Sequence, residues 1–251
     1  MNRYFDSLVL RKPLFYFVYL LIGINLMLMA LYFSGNGLLQ SIVVPTMTGI
    51  EVASWREFGA MEMLQNLFLL VLIGILSYGL IKQTSLLDKG LYFLAILVFT
   101  FLFLEEIDYG LHYYEFITGN SFGDQPRNWH NQEGADGHQN TRKIKKVADL
   151  LMILMFVLLP LLCKFTPLKN NIGKLNFVPI IYFPIAIVVA VVLSKCAHFF
   201  NDSGFGIING VQGKLDNNIS EFRETSMYYI YILYALQLVG RPSLFSKLKP
   251  E

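Results

Sequence analysis

Six stretches of this chain are too long and too apolar to serve as surface elements of a water-soluble domain. They run at about 13–34, 60–82, 90–114, 147–164, 177–199 and 224–240. A helix needs about 20 mostly apolar residues to cross a hydrocarbon core roughly 30 Å thick. Lipid-embedded backbone must satisfy its own hydrogen bonds, and helices do so within one segment. The fourth and sixth stretches are short, so their helices are expected to extend into the flanks. Composition agrees: 15% of the residues are charged and 55% are hydrophobic, where a soluble domain carries about 25% charge. The expected fold is all-α, a polytopic membrane bundle of about six transmembrane helices. It forms a single integral membrane domain over 1–251, with a polar outer loop at about 117–146. The first apolar stretch lacks a small-residue cleavage site and reads as a retained helix.

Charge sets the expected orientation. Arg3, Arg11, Lys12, Lys82, Lys89, Lys164, Lys169, Lys174, Arg241, Lys247 and Lys249 fall at one set of helix ends. The positive-inside rule puts that side, and both termini, in the cytoplasm. Of the 18 acids only Asp6, Asp88 and Glu251 lie there; the rest, with all four histidines, lie on the opposite side. The expected location is the cell membrane, as a multi-pass protein of the bacterial inner membrane. Cys163 and Cys196 fall near opposite faces, which argues against a disulfide between them. The basic residues are scattered between apolar runs, so no nucleic-acid groove is expected. No P-loop, G-x-S-x-G elbow, C-x-x-C or H-E-x-x-H is present.

The segment FLFLEEIDYGLHYYEF, residues 101–116, sets acids into an apolar run. If the third span enters near Leu91, a rise of about 1.5 Å per residue puts Glu105 roughly 21 Å up, still inside the core. Carboxylates at that depth are costly and mark function more often than architecture. An unbroken helix would place Glu105, Asp108 and His112 on one face, with Glu106 turned about 100° away. The competing account is an interfacial helix end with Tyr109, Tyr113 and Tyr114 as an aromatic belt. It suits Asp108, His112 and Glu115 better than the deeper glutamates. Neighbouring carboxyl groups can act as general acid and base, and Arg56 and Arg223 are candidates to hold them ionised. His198 and Asp202 form an i, i+4 pair closing the fifth span, as metal ligands or as a base with its orienter. Glu62 opens the second span, and Glu221 and Glu224 open the sixth, where acids in a first turn also suit the helix dipole. His130 and His138 lie in the polar loop. The candidate catalytic residues are thus Glu105, Glu106, His198 and Asp202. Glu62, Asp108, His112, His130, His138 and Glu221 are candidate ligands for a divalent metal ion.

EEIDYG and HFFND resemble motifs of the CAAX-type glutamate intramembrane proteases. Glu105 and Glu106 match that family's E-E pair, and His198 and Asp202 match its H-x-x-x-N/D. The family's motif arginine falls on Gly110, and F-x-x-x-H is absent. The resemblance implies a glutamate that activates water with histidine assistance. The chain also resembles uncharacterised bacterial membrane proteins with three motifs. They are E-x-G-x-x-E (Glu57, Gly59, Glu62), E-E-x-x-(W/Y)-G (Glu105, Glu106, Tyr109, Gly110) and E-x-R-E (Glu221, Arg223, Glu224).

The expected function is a membrane enzyme with an outer-face carboxylate and histidine site. It would hydrolyse a lipid or a membrane-borne peptide, with or without a metal. Its partner is that membrane-borne substrate and not nucleic acid. The alternatives are a transporter or ion pathway using the same acids, and a non-catalytic membrane subunit.

Overall fold

A computed structural model describes residues 8–45, 58–119, 140–165, 175–211, 213, 215, 218–239 and 243–244. The side chains of His112 and of residues 140–145 lie outside that description. The described elements are helical, with one isolated bridge between Ile208 and Val211. They are α1 (Leu20–Tyr32), α2 (Gly37–Val43), α3 (Ala60–Lys82), α4 (Leu86–Glu106), α5 (Leu111–Thr118), α6 (Asn140–Met152), α7 (Leu159–Phe165), α8 (Tyr182–Asp202) and α9 (Glu221–Leu238). Wider π-helical turns at Phe15–Tyr19 and Ile153–Leu158 lead into α1 and join α6 to α7.

Five segments are long and apolar enough to cross a membrane: Phe15–Tyr32, Ala60–Lys82, Leu86–Glu106, Lys146–Phe165 and Tyr182–Asp202. They carry large exposed side chains such as Leu94, Val188 and Leu154, as lipid-facing surfaces should. α9, expected as a sixth span, falls outside that set, yet it is the helix the others enclose. Its buried residues include Glu221, Thr225, Ser226 and Gln237 beside Ile230 and Leu233. α3 packs along one flank of α9 and α8 along another, with α1 against both α8 and α9. The core beneath is aromatic: Phe183 meets Phe17, Phe156 and Tyr234 at centroid distances of 4.9, 5.2 and 5.8 Å.

α3 and α4 form an antiparallel hairpin through a three-residue turn in which Ser85 caps α4. Gly79 lets them close, because a Cβ there would run into the Tyr92 ring. The third span differs from expectation. Its helix begins at Leu86 and stops at Glu106, and does not continue to 114. Asp108, Tyr109 and Gly110 follow with φ of 47°, 54° and 84°, a left-handed run that breaks the helical ladder. Counted from Leu86, Glu105 lies about 28 Å along the axis, at the far edge of a core roughly 30 Å thick. The glutamates therefore close the span instead of sitting a turn inside it. The expected shared face of Glu105, Asp108 and His112 does not form, because it required one continuous helix.

Candidate functional site

Buried polar residues gather where the N-terminal ends of α3 and α9 meet the C-terminal end of α4. α3 contributes Glu62, Gln65 and Asn66, spaced to share a face and all buried. α9 contributes Glu221 and Thr225, one turn apart and buried, with Glu224 between them and Tyr228 a turn further on. α4 contributes its last two residues, Glu105 buried and Glu106 half-buried.

Hydrogen bonds join these helices. The Gln65 Nε2 group donates to the Glu221 carboxylate at 3.1 Å, to the Glu221 carbonyl at 3.2 Å and to Thr225 Oγ1 at 3.0 Å. Thr225 in turn donates to the Glu221 carbonyl at 2.9 Å. The Tyr228 hydroxyl donates to Glu106 Oε1 at 2.7 Å, and its ring lies within electrostatic reach of Glu224 and Glu221. The Tyr109 hydroxyl donates to Glu105 Oε1. That hydrogen bond, with burial and the glutamate's charge, holds the Tyr109 phenol above its ordinary pKa. A phenol donating to a carboxylate favours the charged acceptor and fixes its orientation.

α5 leans over this end of the bundle. The Phe58 ring meets Tyr113 and Phe116 at 5.3 and 5.1 Å, and Glu115 is buried. Below the cluster, Asn25 of α1 donates to Ser226 at 3.0 Å. Arg223 does not serve the glutamates: its guanidinium pairs with Asp149 of α6 at 3.0 Å, on another side of α9.

The structure therefore brings Glu105, Glu106, Glu62 and Glu221 to one end of three neighbouring helices. It does not bring His198 and Asp202 to them. Both lie on the exposed face of α8 with Lys195 and Phe199, while Ala190, Ala197 and Asn201 form the buried face. α8 packs on α9 and α1, whereas α4 packs on α3. Asp108 sits in the left-handed turn, outside both α4 and α5. His130, His138 and Arg56 lie outside the described residues, as does the His112 side chain. Among the described residues no group of three or more His, Cys, Asp or Glu side chains is placed to hold a metal ion. Comparison with protein-family models, curated proteins and solved structures finds no match.

Sequence reasoning passed over Gln65, Asn66, Thr225 and Tyr228. A signal was there: MLQNLFLL sets two adjacent carboxamides into an otherwise apolar run, and polar groups inside a span are costly unless used.

Proposed function

We propose that this chain is an integral membrane hydrolase whose acid–base centre is built from Glu105 and Glu106, oriented by Tyr109 and Tyr228 and flanked by Glu221 and Glu224. Its substrate is a lipid or other membrane-borne ester or amide. One glutamate takes a proton from water as it attacks the carbonyl, and a neighbouring carboxyl returns a proton to the leaving group. The bundle crosses the bacterial inner membrane six times, counting α9, with both termini in the cytoplasm and the carboxylates toward the exterior. The observation that carries this reading is the Tyr228–Glu106 hydrogen bond, which ties the end of α4 to the acid-bearing turn of α9. Two adjacent glutamates, each receiving a phenolic hydroxyl, make an oriented pair at the depth where acyl chains and water both reach. The resemblance of this pair to the E-E motif of glutamate intramembrane proteases supports the same role.

A transport pathway is less well supported. Below the cluster, the described buried residues of α3 are Leu69, Leu72, Leu76 and Gly79. Those of α9 from Ile230 to Ala235 are apolar, which leaves no run of polar side chains toward the other face on either helix.

The test uses purified protein in nanodiscs with lipid ester and peptide substrates. Glu105→Gln and Glu106→Gln are each expected to lower turnover at least a hundredfold, as loss of a general acid or base does, with thermal stability retained. His198→Ala is expected to leave turnover intact. Wild-type turnover in both glutamine variants would sink the proposal. Elemental analysis of the same preparations tests the metal-assisted form. A stoichiometric divalent metal lost in Glu105→Gln supports it, and its absence assigns water activation to the carboxylates alone. A fluorescent protein fused after Glu251 should fluoresce, as it does on folding in the cytoplasm.

A further inference from the structure

One side of the enclosed helix α9 is left partly open. Arg223, Met227 and Tyr231 follow one another at four-residue steps, which keeps them on one side of the helix, and all three are half-buried. Phe222, Thr225 and Ser226, on the other sides, are buried.

The open side faces the gap between α4 and the fourth span. α4 rests on α3 and the fourth span rests on α8, and each reaches α9 by side chains. At the carboxylate end Tyr228 donates to Glu106 of α4, and Arg223 donates to Asp149 of the fourth span. Two turns further in, the Tyr231 ring meets Phe99 of α4 at 5.3 Å and Phe156 of the fourth span at 5.9 Å. Those three rings close the gap. Arg223 and Tyr231 are eight residues apart, about 12 Å along the axis. Over that length the gap is a groove, open to lipid at the side, with Met227 on its floor.

The mouth of the groove is basic. The Arg223 side chain is 26% exposed and makes its ion pair through Nη1, which leaves further N–H groups of the guanidinium to donate. Lys146, one turn before Asp149, is exposed. The same helix carries Arg142, Lys143 and Lys145 in its first two turns. Asp149 offsets one of these charges.

An occupant therefore needs an anionic head and a slender apolar body. A peptide helix, about 10–12 Å across, is too wide for a slot in which Phe99 and Phe156 both touch one tyrosine. Water would serve the cations but leave Met227 and Phe99 covered at a cost. A free anion would use the mouth alone. A phospholipid uses both parts, and its ester carbonyls lie on the acyl side of its phosphate. Tyr228, which holds Glu106, is five residues past Arg223, about 7.5 Å deeper along α9, as those carbonyls require.

We propose that this groove takes an anionic glycerophospholipid, with its phosphate on Arg223 and Lys146 and one acyl chain running from Met227 to Tyr231, so that its ester is presented to Glu106. This rests on the reading of Glu105 and Glu106 as the reacting groups and names their substrate class as a phospholipid ester. Hydrolysis adds one water across that ester and releases a fatty acid and a lysophospholipid.

The experiment is photocrosslinking of the full chain in nanodiscs. Phosphatidylglycerol, phosphatidylethanolamine, diacylglycerol and free fatty acid each carry a diazirine on the acyl chain, and labelled residues are mapped by mass spectrometry. Phosphatidylglycerol should label Met227 and Tyr231 about tenfold more than the other three, the factor that one charge-assisted hydrogen bond supplies. Arg223→Gln with Lys146→Gln should remove that preference and leave labelling at Leu94 and Val188 unchanged. Asp149→Asn breaks the same ion pair but keeps the cation, and should keep the preference. Label confined to Leu94, Val188 and other lipid-facing positions of wild type overturns the proposal. So does equal labelling of α9 by all four lipids, or a preference lost in Asp149→Asn. Labelling needs no turnover. Phosphatidylglycerol at Met227 with no lysophospholipid formed contradicts the hydrolase reading alone, and lysophospholipid formed without label on α9 contradicts the groove alone.

Discussion

The phenol of Tyr228 does two jobs at once: its ring is part of the bundle interior, and its hydroxyl holds Glu106 from a different helix. Tyr228→Phe keeps the ring and removes the bond. A hydrogen bond to a charged group is worth about 1.5–3 kcal/mol in water-soluble proteins, but such bonds average nearer 0.6 kcal/mol in a membrane bundle. The expected loss is about 1 kcal/mol in a reversible unfolding titration in mixed micelles. Turnover should fall further than stability, because Glu106 loses its orientation. Tyr109 gives a pH signature. Its pKa is raised in the folded protein, chiefly by the hydrogen bond to Glu105, so the fold holds that proton more tightly than the unfolded chain does. The stabilisation is complete below the ordinary tyrosine pKa of about 10 and is lost as pH climbs through the higher folded value. Melting curves of wild type and Tyr109→Phe should differ by a constant amount from neutral pH up to about pH 10 and converge above it. A difference that stays unchanged however far the pH is raised above about 10 would contradict the assignment.

At the scale of the helix, two glycines decide where the glutamates stand. Gly79 sets the closeness of α3 and α4. Gly79→Leu would drive a side chain into Tyr92 and is expected to cost about 1–3 kcal/mol by overpacking, with turnover lost as Glu105 shifts away from α3. Gly110 has φ of 84°, and nothing lies within 4 Å of where its Cβ would be. The cost of Gly110→Ala is therefore purely conformational, about 1–2 kcal/mol, and the same unfolding titration should show it. Most helix positions were legible from the sequence. α3 matches its expected bounds of 60–82, since Gly59 precedes it and the apolar run stops at Lys82. The end of α4 was not legible. The apolar, aromatic run continues through Tyr109 to Phe116, so hydropathy carried the expected helix past the break. Gly110 hinted at it, and so did Asp108, a residue type that tolerates positive φ, but nothing in the residue type encodes the left-handed turn at Tyr109. The acids were found because charge in an apolar run is conspicuous. His198 and Asp202 were grouped with them because shared membrane side and shared cluster cannot be separated in one dimension.

For the whole molecule, the arrangement inverts the usual relation between hydropathy and depth. The lipid-facing helices are the greasiest, and α9, which they enclose, is the most polar of the long ones. Arginine at Leu94 or Val188, both large and exposed, should lower membrane insertion by about 2.5–3.5 kcal/mol on a translocation scale. In a water-soluble bundle the same changes would be nearly neutral, so an insertion reporter separates the two cases. The enclosure of α9 also bears on biogenesis. A helix bearing Glu221, Arg223, Glu224, Thr225 and Ser226 in its first two turns gives the translocation machinery little reason to release it sideways into lipid by itself. It follows the other long helices in synthesis, so its neighbours are already available as a polar-tolerant berth when it emerges from the ribosome. Entry of this acid-bearing turn into the membrane is thus expected to wait on prior assembly of the helices that will flank it.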